Sequence, residues 1–221
     1  MIDPLSPQGD GVSANAPDYR RIFLRRVHHL LRFAYERLTP ANYATEEEPS
    51  ITGDLEQAIQ AICDDPKSPD WVSQYASSDD PPVNVPGRKG KHRPRIDIRI
   101  VSLERRPRTR FYFEAKRLGT DHRAANYWGK DGLGCYLRGD YASQEEDGGM
   151  LGYMQSDDEA HWASKLKEKL QKTNADYAPV ANPLWHLHQF GPECLPAYRS
   201  EHMRQQPKLK IVIYHTLLMF H

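Results

Sequence analysis

Two acid-bearing segments and one lysine define the chemistry open to this chain. Arg95-Ile96-Asp97-Ile98-Arg99-Ile100 and Phe111-Tyr112-Phe113-Glu114-Ala115-Lys116 both alternate with the period of a β-strand. Successive strand side chains point to opposite faces, so Glu114 and Lys116 share one face while Phe113 and Ala115 take the other. On the first segment Ile96, Ile98 and Ile100 read as the apolar face, with Asp97 opposite them. If the strands are neighbours, Asp97, Glu114 and Lys116 converge. Two carboxylates and an ammonium at one point suit a hard divalent cation, which prefers oxygen ligands, together with an activated water. That is the equipment for metal-assisted hydrolysis.

Asp97 and Glu114 are separated by 17 residues, enough for two strands joined by an arginine- and proline-rich loop from Leu103 to Thr109. In this arrangement the chain resembles the PD-(D/E)XK superfamily, the restriction-endonuclease-like nucleases, over roughly residues 46 to 156. Asp97 matches the motif aspartate, and Glu114-Ala115-Lys116 matches the (D/E)XK tripeptide. Pro94 stands three positions before Asp97 rather than directly before it. The resemblance implies an α/β fold with a central mixed β-sheet flanked by helices. It implies Mg²⁺, with Mn²⁺ as a substitute, held by Asp97, Glu114 and the backbone carbonyl of Ala115, and it gives Lys116 the task of orienting the water or stabilising developing charge. A further acid from the first core helix is common in the superfamily. Glu48 is the candidate, in register with Ile51, Leu55, Ile59 and Ile62, and Glu47 competes with it. The bland reading of Glu46-Glu47-Glu48 is a helix N-terminus favoured by negative charge.

The net charge of zero hides a segregation of charge. From Arg88 to Arg117 there are twelve Lys or Arg against three acids, a local excess of +9 that the rest of the chain cancels. Such a block favours a phosphate backbone through steering and counterion release. Arg95, Arg99, Arg105, Arg106 and Arg108 are accordingly the expected nucleic-acid contacts. A solvated, charge-rich hairpin is the alternative.

The elements that must position these residues follow from pattern and punctuation. Residues 1–17, rich in Pro, Gly, Ser and Asn, read as a flexible tail, and residues 18–221 as a single domain. Ile22, Phe23, Val27, Leu30, Leu31, Ala34 and Leu38 predict an amphipathic helix from Asp18 to Leu38. A second helix is expected from Pro49 or Ser50 to Asp64, a short strand or helical turn from Trp71 to Tyr75, and a loop from Asp79 to Lys91. Gly119 to Gly139 reads as irregular or partly helical. The glycine-rich run from Gly148 to Met154 reads as the start of a helix, on which Tyr153 and Gln155 could line the site. Ala160 to Thr173 predicts a charged helix, Pro179 to Pro196 resists assignment, and Leu209 to Phe220 predicts a final strand.

Other polar residues have weaker functional readings. His186 and His188 could share a strand face as metal ligands. Ser200, His202 and Arg204 could touch phosphates, although a loop and cap role fits them better. His215, among Ile211, Val212, Ile213, Leu217 and Leu218, reads as a satisfied core histidine. Cys63, Cys135 and Cys194 are odd in number and dispersed, which points to a reducing compartment. No apolar run approaches a membrane span, mean hydropathy is −0.77, and no glycine loop of the ATP-binding kind occurs. These features suit a cytoplasmic protein. Combined with the resemblance, they predict a Mg²⁺-dependent DNA endonuclease, of the kind found in prokaryotic restriction or anti-phage defence. An RNA-cutting toxin on the same fold and a catalytically silent binding subunit are the competing readings. One small domain covers one scissile phosphate, so double-strand cleavage calls for a homodimer or a recruiting partner subunit.

Overall fold

The computed structural model describes residues 16–85 and 87–221. In chain order the elements are α1 (Ala16–Tyr35), α2 (Glu48–Asp64), β1 (Tyr75–Asp79), β2 (Ile98–Ser102), β3 (Arg110–Leu118), α3 (Ala124–Trp128), α4 (Leu133–Arg138), β4 (Asp147–Met154), α5 (Glu159–Lys172), α6 (Asn174–Tyr177), β5 (His186–His188), β6 (Ala197–Met203) and β7 (Lys210–Met219). The expected tail lies outside the described residues except for Ala16 and Pro17, which open α1. Proline suits that first turn, where its missing N–H has no helical partner.

The seven strands form one mixed sheet in the order β1-β2-β3-β4-β7-β6-β5. β3, β4 and β7 run parallel to one another, and the outer pairs are antiparallel. Helices cover both faces, so the architecture is α/β. Against one face lie α1 and α2, whose apolar stripes (Val27, Leu30, Leu31 and Ala34; Ile51, Leu55 and Ile59) meet Ile98, Ile100, Phe111 and Phe113. Against the other lie α3, α4 and α5, with Trp128, Tyr136, Trp162 and Leu166 packed on Tyr112, Met150, Ile213 and Leu217. Each fully buried aliphatic side chain of these layers contributes about 1.5–3 kcal/mol relative to exposure.

The structure corrects several expectations. Gly148 to Met154 is not a helix but β4, the central strand, buried along its whole length. A strand with both faces covered has no polar alternation to betray it. Its glycines make room for neighbours: a Cβ at Gly148 would lie 2.6 Å from the Tyr136 ring, and one at Gly152 would lie 2.6 Å from Leu217. The Tyr136 hydroxyl uses that room to reach the carbonyls of Tyr112 and Gly149, at 2.7 and 2.9 Å, across the β3–β4 seam. Ser200 and His202 lie on β6, in the core rather than in a loop, and Arg204 is buried just beyond it. That strand was hidden because its inward residues are Ser200 and His202 instead of aliphatics. Ile22 is 43% exposed, outside the buried stripe of α1. Ile96 packs with the α3–α5 layer, not with Ile98 and Ile100, because regular β2 pairing begins only at Ile98. Trp71 to Gln74 belongs to a 3-10 turn, and the edge strand β1 follows it.

All three cysteines are free. Among the described residues no helix is long and apolar enough to cross a membrane.

Candidate active site

Antiparallel pairing of β2 with β3 sets Ile98 opposite Phe113, which brings Asp97, one residue before β2, alongside Glu114. The Ala115 N–H donates to Asp97 Oδ2 at 2.6 Å and fixes that carboxylate on the tripeptide. Two residues after Glu114, on the same face of β3, Lys116 Nζ lies 2.9 Å from Glu114 Oε1. The site thus sits where β2 enters the sheet and the parallel strand β3 leaves it. Crevices outside the carboxyl ends of parallel strands are the usual ligand positions of open α/β sheets.

Glu48 completes the cluster from α2. It occupies the first turn of the helix, where a carboxylate is favoured by the unpaired N–H groups. Its Oε1 accepts from Lys116 Nζ at 2.8 Å and its Oε2 from the Arg117 N–H at 3.2 Å. Glu47 instead pairs with the Arg117 guanidinium at 2.6 Å, and its side chain is largely exposed. Geometry therefore selects Glu48 over Glu47. Lys116 Nζ also donates to the Ala115 carbonyl at 2.6 Å, so its three N–H groups have three acceptors.

Charge in the cluster does not balance. Three carboxylates, Asp97, Glu114 and Glu48, surround one ammonium. Glu114 is 4% exposed, and its Oε2 has no hydrogen-bond partner among the described residues. Burial raises the Asp97 pKa to about 6, although Lys116 and the Ala115 N–H pull it down. Glu114 is pushed well above the usual carboxylate range, first by burial and then by the Asp97 charge. Burial works against the Lys116 ammonium, but Glu114, Glu48 and Asp97 outweigh it and hold the lysine above its ordinary value. No group of three or more His, Cys, Asp or Glu forms a ready-made metal cage among the described residues, and Lys116 stands amid the carboxylates. The donor set nonetheless fits a hard cation. Carboxylate oxygens are the right chemistry, and the orphaned Glu114 Oε2 beside Asp97 is a position where added positive charge relieves both groups.

Gln155 and Tyr153 act as supports. Gln155 Nε2 lies 2.8 Å from each of the carbonyls of Tyr43 and Glu46, steadying the segment that leads into Glu48. The Tyr153 hydroxyl lies 3.0 Å from Thr52 Oγ1 and ties β4 to α2. No sequence pattern distinguished these roles, since they join residues more than a hundred positions apart.

The basic block divides into two arms. Its first part, from Arg88 to Arg95, lies just before Asp97. There Arg88 pairs with Asp140 at 3.2 Å and Arg95 with Asp80, while Lys89 and Lys91 are exposed and make no ion pair among the described residues. Arg99, on β2 two positions beyond Asp97, has its Nε buried without a partner among the described residues. Arg105, Arg106 and Arg108, in contrast, belong to the β2–β3 hairpin tip at the other end of the strands. Six residues of strand from Arg108 to Glu114 span about 20 Å. The structure therefore does not bring these three arginines to the site, and Arg105 stacks on the Tyr19 ring at 4.1 Å instead. A hairpin necessarily puts its tip and its open end far apart, which linear proximity conceals.

His215 is the core histidine expected, fully buried and hydrogen bonded. His186 and His188 share a face of β5, distant in the sheet order from β3. No protein-family model matches the chain, and comparisons with curated proteins and with solved structures likewise find no match.

Proposed function

We propose that this protein is a metal-dependent nuclease on a restriction-endonuclease-like core, hydrolysing phosphodiester bonds in DNA with Asp97, Glu114, Lys116 and Glu48. The observation that carries the reading is the cluster itself. Three carboxylates from three segments surround one ammonium, and a buried oxygen of Glu114 is left without a partner.

Asp97 and Glu114 would hold a divalent cation, Mg²⁺ or Mn²⁺, with the Ala115 carbonyl as a third oxygen. Bound there, the cation would polarise the phosphoryl group and lower the pKa of its water. The chain's own residues do the rest. The Ala115 N–H keeps Asp97 aimed at the site. Lys116 serves as counter-charge to Glu114 and Glu48 in the metal-free protein. The Lys116 ammonium, 2.9 Å from Glu114 and 2.8 Å from Glu48, is placed to orient the attacking water or to meet charge developing on the phosphate oxygens. Glu48 keeps that ammonium at the site from the other side. Lys89 and Lys91, exposed and without an ion pair among the described residues, offer positive charge to the flanking phosphates.

The test is incubation of the full chain with supercoiled plasmid, linear duplex, single strands and tRNA, each with Mg²⁺, Mn²⁺ or EDTA. Metal-dependent nicking or linearisation of DNA is expected. Retarded mobility without cutting would establish a binding subunit instead, and cleavage confined to tRNA would move the substrate to RNA.

A further inference from the structure

A second cleft opens at the opposite end of the sheet, between the first turns of α1 and the start of β3, β4 and β7. Its volume is about 1140 Å³. No residue of the candidate active site lines it. Three features together describe a ligand.

The first is a pair of buried charged groups with unused hydrogen-bonding atoms. Asp147 is 7% exposed; Arg20 donates to its Oδ2 at 2.6 Å, but its Oδ1 has no partner among the described residues. Arg204 is 2% exposed, and its Nη2 donates to the carbonyls of Ala142, at 2.6 Å, and Glu145. Its Nε is unpartnered and no ion pair neutralises it among the described residues. Buried groups of this kind are costly unless something meets them. The second feature is an aromatic wall. His188, Phe190 and Tyr214 all line the cleft, with ring centroids 4.6 Å (His188–Phe190), 4.7 Å (Phe190–Tyr214) and 5.3 Å (His188–Tyr214) apart. One side of the Phe190 ring is already taken by His28, stacked at 3.9 Å, but His188 and Phe190 are only half-buried, so part of the wall is exposed. The third is a cationic rim of Arg21, Arg110 and Lys210, exposed at the mouth; Arg21 and Lys210 hold surface ion pairs with Asp18 (3.7 Å) and Glu201 (2.9 Å), weak contacts that a phosphate can displace, and Arg110 makes none among the described residues. Tyr19, which also lines the cleft, carries Arg105 of the hairpin tip on its ring.

We propose that this cleft is a nucleotide-binding site separate from the candidate active site. The base stacks on the His188–Phe190 wall and gives an amino or imino N–H to Asp147 Oδ1, and the phosphate lies on the rim cations. Stacking on an aromatic side chain is tolerant of base identity, whereas the acceptor and the cations demand both ends of the ligand. The proposal does not depend on the nuclease reading, since no residue is shared between the two sites. The same chemistry is offered by a free nucleotide and by the 5′ end of a single strand.

Isothermal titration of the full chain in EDTA distinguishes these sources, with GMP, a 5′-phosphorylated tetranucleotide and inorganic phosphate as probes. GMP is expected to saturate below about 1 mM, where binding free energy reaches about −4 kcal/mol. Saturation by the tetranucleotide alone would assign the site to strand ends. The exposed double variant Arg21→Gln/Lys210→Gln should weaken binding at least about tenfold. Asp147→Asn, which turns the free acceptor into a donor, should do the same. Glu114→Gln, at the far end of β3, should leave affinity unchanged. Three results would each overturn the proposal: no saturation by either nucleotide probe, inorganic phosphate binding as tightly as GMP, or unchanged affinity in the double rim variant, which does not touch the fold's interior.

Discussion

Two largely buried polar clusters are built on opposite principles. The first is the candidate active site. The second joins Tyr127, His215, Ser200 and His202, all fully or almost fully buried. In the second, every bond implies the next. His202 Nδ1 faces the Tyr177 carbonyl at 2.7 Å and must carry its proton, leaving Nε2 as an acceptor. Ser200 Oγ, 2.7 Å away, donates to that Nε2 and in turn accepts from His215 Nε2, also at 2.7 Å. His215 Nδ1 is then the acceptor for the Tyr127 hydroxyl at 3.0 Å. Two neutral imidazoles and two hydroxyls form a chain with no group left over and no net charge. The carboxylate cluster has more negative than positive groups and an orphaned buried oxygen. A satisfied network rigidifies a fold, whereas an unbalanced one waits for something to complete it. The contrast separates a structural set of histidines from a site.

The largest expected effect comes from the unbalanced cluster. Asp97→Ala or Glu114→Gln should lower Mg²⁺-dependent nicking by at least about a thousandfold, or about 4 kcal/mol at 1.36 kcal/mol per decade. Both should at the same time raise the melting temperature of the metal-free protein. The sign follows from the pKa of Asp97, about 6 and thus above its ordinary value. The folded state holds that proton more tightly than the unfolded chain does, so the cost of the ionised group appears as pH rises through about 6 and is absent at pH 4. The stabilisation by Asp97→Ala should therefore be larger at pH 8 than at pH 5. A variant that cut normally, or that was destabilised at pH 8, would erase the distinction between the clusters.

Lys116 gives the next effect. Lys116→Ala should cut about a hundredfold more slowly, about 2.7 kcal/mol of transition-state stabilisation. Calorimetric Mg²⁺ binding should be retained or strengthened, because a cation has left the site. Lys116→Arg should rescue poorly, since a planar fork does not replace a compact ammonium held by three acceptors. Wild-type cutting by Lys116→Ala with metal binding intact would reduce the lysine to a counter-ion and favour the binding-subunit reading.

How much of this was legible beforehand depended on whether a residue's partner was local. The strand period exposed Asp97, Glu114 and Lys116 together, because two neighbouring strands of a hairpin need only one register to be fixed. Glu48 was legible as the first-turn residue of a helix with a clear stripe. The competition with Glu47 was not, since it turns on a backbone N–H at Arg117, 69 positions away. β4 was misread because glycine lacks the β-branched signature of a strand, and its reason for being glycine, the Tyr136 ring, is a tertiary contact. Linear charge density placed Arg105, Arg106 and Arg108 beside the acids that the hairpin separates them from. Ser200 and His202 were misread for the same reason that their cluster matters: a strand whose buried side chains are polar mimics a loop.

The satisfied cluster should answer in stability rather than rate. Ser200→Ala removes the link between the two imidazoles and leaves His202 Nε2 and His215 Nε2 without their partner, at a cost of about 1–3 kcal/mol. Cutting per folded molecule should be unchanged. The pH dependence should run opposite to that of Asp97. Burial lowers the His202 pKa to about 4, and lowers His215 well below its ordinary value. The unfolded chain takes up these protons first, so this contribution is complete above about pH 6.5 and is lost as pH falls through about 4. Chemical denaturation of wild type and Ser200→Ala between pH 4 and 8 reads it directly. A loss of activity without a loss of stability in Ser200→Ala would transfer the histidine chain to the catalytic side of the comparison.

The smallest effect separates the two basic arms, and its size follows from counterion release. Each phosphate neutralised on duplex DNA contributes about −0.9 to the slope of log K against log salt. Lys89 and Lys91 are exposed, free of ion pairs among the described residues, and close in sequence to Asp97. Lys89→Gln/Lys91→Gln should therefore flatten the slope for duplex binding by up to about 1.8, measured in Ca²⁺ or on the Glu114→Gln background to suppress cutting. Arg105→Gln/Arg106→Gln/Arg108→Gln changes one more charge but acts at the hairpin tip, about 20 Å from Glu114 by strand length. Its duplex slope should stay that of the wild type. If the triple variant flattened the slope as much as the lysine pair, the duplex would have to lie along the full length of β2 and β3. The substrate path would then run from the carboxylate cluster to the second cleft rather than across the site end alone.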